Sequence, residues 1–406
     1  SVPAFAQVGG AVDEPSVMTL QTAQDLALQS NADLAVALRE LQATDGAVMQ
    51  GAARPNPELA FLQEDLRKET RTSTLQLNQL IELGGKRAAR LDAAERGRDI
   101  AALELEVRRA EVRAAVSANF FELLAAQEKV RLAQDVSKLA KRATEVAAKR
   151  VASGKVPPLE ETKARVAEAN VNLNLTLAQS ELRTARQRLG SIWGNSSPRF
   201  ERVDGSLDSL PPLPSADSLN ARFAASPRLK LAKIEIQRRK SLADIERSKR
   251  TPDLTVSLGA IRAQDVGRNQ VLLGVAIPIP VFDSNRGNQL EALKRTDKAR
   301  DELAATQIRL TSEVQQAYER LGAARNEVET LQRNVLPGAK SAYDIATKGF
   351  ELGKFNFLDV LDAQRTLFEA KAQHLRAMAE THRADAEIDR VLGNAADISQ
   401  RPDAKP

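Results

Sequence analysis

At 406 residues the chain has room for two or three ordinary domains, but aromatics are only 3% and the 42% hydrophobic fraction leans on alanine, which does not build a thick globular core. Cysteine is absent, removing disulfides, thiol catalysis and thiolate metal sites. The formal charge of +5 arises from 59 basic residues interleaved with 54 acidic ones, the pattern of a solvated helical surface and not of a nucleic-acid patch.

At the N-terminus, Ala4-Phe5-Ala6 before Gln7 reads as the small-x-small end of a secretory signal, so residues 1–18 are expected to be a signal remnant and a flexible start. Thr19 is an N-cap candidate for a helix running past Met49, which Pro55 and Pro57 stop. Period-two alternation follows. Leu75 and Leu77 alternate with Thr74, Gln76 and Asn78, which places a strand over 72–83, and repeat symmetry supports another over 58–65. From Lys86 to Ala152 nothing breaks a helix, which at about 1.5 Å per residue spans on the order of 100 Å. It carries a seam through Leu103, Val107, Ala110, Ala114, Phe121 and Leu124 that slips near Glu128 and resumes at Leu132, Val136, Leu139 and Ala143.

Gly154-Lys155 then turns the chain into a second long helix, closing a first repeat over 19–194. Residues 195–218 are rich in Pro, Ser and Asp and read as a linker. The second repeat, 219–393, begins with a helix. Leu254, Val256, Leu258 and Ala260 then alternate with Thr255, Ser257 and Gly259, and Val271, Leu273, Val275, Ile277 and Ile279 follow a polar loop, predicting strands over 252–262 and 270–281. Leu310, Val314, Ala317, Leu321, Ala324, Val328, Leu331 and Val335 form a coiled-coil seam, Pro337 marks a break or kink, and Gly353-Lys354 makes the second helix turn. The tail 394–406 is polar and expected to be loose.

The repeat rests on landmarks, because alanine-rich helices align with anything. Asn31-x-x-Leu34 answers Pro227-x-Leu229, Pro57-Glu58-Leu59 answers Pro252-Asp253-Leu254, Gly154-Lys155 answers Gly353-Lys354, and Leu189-Gly190 answers Leu392-Gly393. The longest apolar run, Val271 to Phe282, is too short and proline-rich for a transmembrane helix, so any membrane span must be β. Four strands cannot close a barrel, since the smallest single-chain barrels use about eight. An open four-stranded sheet in lipid would leave its edges unsatisfied, so in a membrane several subunits must pool their strands, and their helices would continue the wall as a tube. A soluble four-stranded sheet beside coiled coils is the alternative.

Three signatures together resemble the TolC family of outer-membrane factors over essentially the whole chain. Thr19-Leu20-x-x-Ala23-x-x-x-Ala27-Leu28-x-x-Asn31-x-x-Leu34 is similar to the family's opening helix, Ile277-Pro278-Ile279-Pro280-Val281-Phe282 to the exit of its last strand, and 353–364, from Gly353-Lys354-Phe355 to Asp362-Ala363-Gln364, to its second helix turn. Glu82-Leu83-Gly84-Gly85-Lys86-Arg87 resembles the heavy-metal branch, which serves cobalt, zinc and cadmium resistance. The resemblance implies a mostly α-helical protein with a membrane β-barrel portion. It further implies a homotrimer sharing a twelve-stranded barrel in outer-membrane lipid above a periplasmic α-helical barrel, and a passive channel working with a periplasmic adaptor protein and an inner-membrane pump of the resistance-nodulation-division (RND) type. The same duct exporting organic compounds is the main alternative. A soluble periplasmic coiled-coil adaptor is another.

No catalytic, cofactor or metal constellation emerges. His374 and His382 lie eight apart on one helix, too far for a chelating pair, and read as surface residues. Met18, Met49 and Met378 are scattered, and Gly84-Gly85-Lys86-Arg87 lacks the spacing of a phosphate loop. The candidate site is acidic. Asp359 and Asp362 share a helical face beside the second turn, and Glu160 is the repeat counterpart of Asp359, with Lys163 where the second acid would stand. The resemblance implies that these residues line the periplasmic aperture, where a symmetric ring of carboxylates attracts cations. Acids in a helix's first turn also stabilise it through its dipole, which is the simpler explanation for them. Phe350 and Phe355 stand where the family's archetype carries polar residues of its closing network, so a differently held gate is expected.

Overall fold

The computed structural model describes residues 14–65, 67–355 and 357–393, with Phe357 described by its backbone alone. The expected signal end at Gln7, residues Leu66 and Asn356, and the tail 394–406 lie outside the described residues. The first half of the chain runs β1 (Val17–Thr19), α1 (Leu20–Ser30), α2 (Ala32–Ala52), β2 (Glu58–Glu64), β3 (Thr72–Ile81), α3 (Lys86–Ala152) and α4 (Pro158–Ser191). After β4 (Arg202–Asp204) come α5 (Ala216–Ala225), α6 (Pro227–Ser248), β5 (Leu254–Ala263), β6 (Arg268–Ala276), α7 (Arg286–Thr330), a π-helical turn (Leu331–Val335), α8 (Leu336–Glu351) and α9 (Phe357–Leu392). Two compact units result, one of residues up to Val36, Val107–Ser226 and Leu310 onward, the other of Ala37–Glu106 and Pro227–Arg309. Each draws on both halves of the chain.

Thr19 caps α1 as expected, its hydroxyl accepting from the Thr22 amide. The opening helix is nevertheless two helices, because Asn31 serves both. Its amide donates to the Ala27 carbonyl, its side-chain oxygen accepts from the Leu34 amide at 3.0 Å, and its Nδ2 donates to the Ile192 carbonyl at 2.7 Å. The break recurs in the second half, where the Ser226 amide closes α5 onto the Phe223 carbonyl and Pro227 opens α6.

The unit of Ala37–Glu106 and Pro227–Arg309 contains one antiparallel sheet of order β2-β3-β5-β6. Its register sets Leu59 opposite Leu77, Phe61 opposite Leu75, Leu77 opposite Leu258, and Leu258 opposite Leu273. Because side chains alternate along a strand, one face collects Leu59, Phe61, Leu75, Leu77, Val256, Leu258, Val271, Leu273 and Val275, mostly exposed, while Gln76, Asn78, Thr255 and Ser257 share the other. On the polar face Ser257 Oγ donates to Asn78 Oδ1 at 2.7 Å, and Asn78 also bonds Gln76. β6 ends at Ala276, short of the expected 281, because Pro278 and Pro280 have no N–H to give the ladder. At Gly259 an added Cβ would lie 2.7 Å from the Leu75 carbonyl oxygen, so the β3–β5 contact requires a glycine.

Long helices dominate the other unit. The α7 seam is buried at Leu310, Val314, Ala317, Leu321, Ala324, Val328 and Leu331 as predicted, but Val335 is 38% exposed. It falls in the π turn, where the Leu336 amide reaches back to the Leu331 carbonyl just before Pro337, so the seam rotates there. The α3 seam differs more. Ala114 and Leu124 are buried as predicted, but Leu103, Val107, Leu132, Val136 and Leu139 are only half-buried. The buried line also takes in Leu105, Val112, Val116, Phe120 and Leu123, followed by Ala133, Ala140 and Ala147 at heptad spacing. Alanine at those inner positions lets neighbouring helices approach closely.

The linker and the N-terminal segment are more ordered than the sequence suggested. β1 pairs in parallel with β4. Glu14 accepts from Trp193 Nε1, Asn195 Nδ2 and the Arg199 amide at 2.7–2.8 Å. The histidines correct the surface reading. His382 is buried, stacked on Phe121 with ring centroids 3.6 Å apart, and its Nε2 lies 3.3 Å from the Leu207 carbonyl. His374 Nε2 is buried without a hydrogen-bond partner. Desolvation lowers both imidazole pKa values, so both are neutral at pH 7.

Candidate functional site at the helix turns

α3 and α8 end alike. The Gly154 amide bonds the Val151 carbonyl and the Lys155 amide the Arg150 carbonyl; Gly353 and Lys354 repeat the pair onto Phe350 and Gly349. Both glycines have φ of 70°, the left-handed conformation that closes a Schellman cap. The repeat landmark Gly-Lys is therefore a helix stop.

Between these turns lies a cleft of about 770 Å³, lined in part by Lys149, Arg150, Lys155, Glu160, Phe350 and Phe355. The Arg150 guanidinium sits 4.2 Å from the centroid of the Phe350 ring, a cation–π contact joining the two turns. The Phe355 ring covers Gly349 so closely that an added Cβ would overlap it. Beneath, Ala147 and Ala164 pack with Ala143, Phe350 and Leu361. Phe350 and Phe355 are thus both held in aromatic and apolar contacts at the turns. The pairing of Arg150 with Phe350 escaped sequence reasoning, since nothing local links two residues in different repeats.

The three candidate acids do not share one cleft. Glu160, half-buried in the first turn of α4, lines the turn cleft and lies 3.7 Å from Lys163. Asp359 is exposed in the first turn of α9. Asp362 belongs to a second cleft, of about 440 Å³, between α3, α4 and α9, whose walls include Ala140, Asn170, Asn174, Gln364 and Phe368. Its carboxylate is 72% exposed and 3.1 Å from Arg365. Lys163 and Arg365 offset part of the acidic charge, though weakly, since exposed pairs are worth about 0–1 kcal/mol. Gln364 is buried beside Asp362 with its Nε2 unpaired. Among the described residues no group of three or more His, Cys, Asp or Glu could hold a metal ion, and no helix is long and apolar enough to cross a membrane.

The family model of the outer membrane efflux proteins matches residues 23–195 and 220–394, one match for each half of the repeat. The chain belongs to that family. It is 48% identical to the cobalt-zinc-cadmium resistance protein CzcC of Cupriavidus metallidurans over 93% of this chain and 90% of the relative. The nickel and cobalt resistance protein CnrC of the same organism is 29% identical over 65% of this chain and 62% of its own length. The fold is that of solved outer-membrane channels. CusC superposes with a TM-score of 0.81 at 17% identity, covering 93% of this chain and 92% of CusC. VceC of Vibrio cholerae gives 0.76 at 19%, covering 92% and 96%.

Membership makes the protein an outer-membrane channel subunit that extends into the periplasm and serves a tripartite efflux system of the RND type. It is a passive duct, not an enzyme. The soluble-adaptor alternative is thereby set aside.

Proposed function

We propose that three copies of the chain pool β2, β3, β5 and β6 into a twelve-stranded barrel, continue below it as an α-helical tube, and export heavy-metal cations such as cobalt, zinc and cadmium. The cargo rests on one observation, the 48% identity to CzcC across nearly the whole chain. Trimerisation is supported by the unpaired outer edges of β2 and β6, which an isolated sheet cannot keep in lipid, and by the opposition of an exposed apolar face to a polar one, which suits a closed wall with lipid outside and water inside. A periplasmic adaptor and a metal-exporting RND pump are the partners on this reading. Asp359, Asp362 and Glu160 sit at the periplasmic aperture and bias passage toward cations without ligating them.

A deletion strain tests the cargo. Loss of the gene should lower the tolerated concentrations of cobalt, zinc and cadmium while leaving tolerance to organic antibiotics and dyes unchanged, with the wild-type gene restoring metal tolerance. Sensitivity confined to organic compounds would replace this reading with the organic-export alternative.

A further inference from the structure

The apolar face of the sheet ends in arginine. Over the four strands, the residues that register and alternation place on that face are hydrophobic or neutral with one exception, Arg262. It stands opposite Ser73 on one side and Asn269 on the other, beyond the band formed by Leu75, Leu77, Leu258, Ala260, Val271 and Leu273. The ladder runs one pair further, the Gln264 amide donating to the Arg71 carbonyl at 3.1 Å, which puts Arg71 on the same face next to Arg262. Within the described residues neither guanidinium has a hydrogen bond or ion pair.

Among the described residues neither arginine forms an ion pair with Asp65, Glu69 or Asp265, the acids of the adjoining loops. Asp65 accepts from the Arg67 amide and the Thr70 hydroxyl, Asp265 accepts from the Val266 amide, and Glu64 lies on the opposite face. At the other end of the sheet, where the strands join helices, Lys86 is paired with Asp253 and Arg90 with Glu82. Two unpaired guanidiniums on a lipid-facing surface are costly at mid-depth but favourable at the rim, where they meet anionic phosphoryl groups.

We propose that Arg71 and Arg262, flanked by Ser73 and Asn269, form a headgroup site for a phosphorylated glycolipid of the outer leaflet, the acyl chains lying on the apolar band. The site rests on the barrel reading above, in which the turns 67–71 and 264–267 face the cell exterior. Free phosphate satisfies the guanidiniums but gains nothing from the band, so the ligand is the lipid. With Phe61 the sole aromatic on this face, the arginine pair replaces an aromatic girdle as the depth anchor.

Native mass spectrometry of the detergent-extracted protein reads assembly and lipid binding together. Offered bisphosphorylated lipid A, the trimer should retain about one per subunit, while dephosphorylated lipid A, phosphatidylglycerol and inorganic phosphate should be held far less. At about 1 kcal/mol per basic residue, the double variant R71Q/R262Q should bind lipid A about thirtyfold more weakly, and R71K/R262K within a fewfold of wild type. Equal binding by wild type and R71Q/R262Q trimers, or equal retention of phosphatidylglycerol, overturns the site and leaves the duct reading intact. A monomer mass overturns both.

Discussion

Phe350 illustrates how much a single side chain carries at the helix turns. Its ring holds the Arg150 guanidinium at 4.2 Å and packs into the Ala147–Ala164 layer. Replacement by leucine keeps apolar bulk and removes the π face. We expect F350L to cost about 1 kcal/mol of stability and to raise the open probability of the channel in planar bilayers. An unchanged open probability would mean that the Arg150–Phe350 contact does not hold the channel closed. Asp385 offers a second residue-scale test, because burial, and then the charge of Asp389, raise its pKa to about 6. Between about pH 4 and 6 the folded state binds a proton that the unfolded state has released, so this group's destabilisation is absent below pH 4 and grows as pH rises through 6. D385N should therefore stabilise the protein by about 1–2 kcal/mol at pH 7, allowing for solvent screening, and by nothing near pH 4 in thermal melts. The two histidines act with the opposite slope, their lowered pKa values costing stability as pH falls below 6.5. None of this burial was legible in sequence. The cover over His382 comes from Leu207 in the linker and Phe121 in the first repeat, and a helix's own pattern does not reveal what will lie on it.

Among the elements, those fixed by local chemistry were legible and those fixed by distant packing were not. Alternation located three strands of the sheet and repeat symmetry the fourth, β2, the Gly-Lys turns fixed the ends of α3 and α8, and the α7 seam was correct at seven of its eight positions. The failures share a cause. Asn31 divides the opening helix because its amide reaches Ile192, the α3 seam shifts onto alanines that look weak in a hydrophobic pattern, and the linker gains β4 because residues near the N-terminus pair with it. The same alternation predicts an asymmetry between neighbours in β5. Val256 lies on the apolar face, so V256R should cost roughly 2–4 kcal/mol near the membrane midplane. Ser257 lies on the polar face, where S257R should cost about 1 kcal/mol through loss of its bond to Asn78. Heat-stable trimer recovered from membranes should fall sharply for the first and little for the second. Equal recovery would mean that the assigned faces are wrong.

At the scale of the assembled duct, the acids proposed at the aperture act as a field and not as ligands. Three symmetric copies of Asp359 and Asp362 in a narrow opening stand close enough for their potentials to add, and the protein wall screens them less than bulk water does. Passage also requires sites weak enough to release an ion, so divalent cations should be enriched and should block only at high concentration. Arg365, 3.1 Å from Asp362, makes the expectation quantitative, since each Asp362 charge is already partly offset on its own helix. Selectivity for cations should therefore be modest in the wild type. D359N/D362N, which preserves size and much of the hydrogen bonding, should abolish it and remove divalent block while trimers still form. R365Q should do the reverse, unmasking Asp362 and raising cation selectivity. Helix-terminal acids serving only the dipole would behave differently in reversal-potential measurements. Both variants would then match wild type in selectivity, and D359N/D362N would show only a small loss of stability, about 0.3–1 kcal/mol per acid. Opposite shifts from the two variants have no explanation in helix capping, because removing the arginine leaves Asp359 in the first turn and Asp362 beyond it in place.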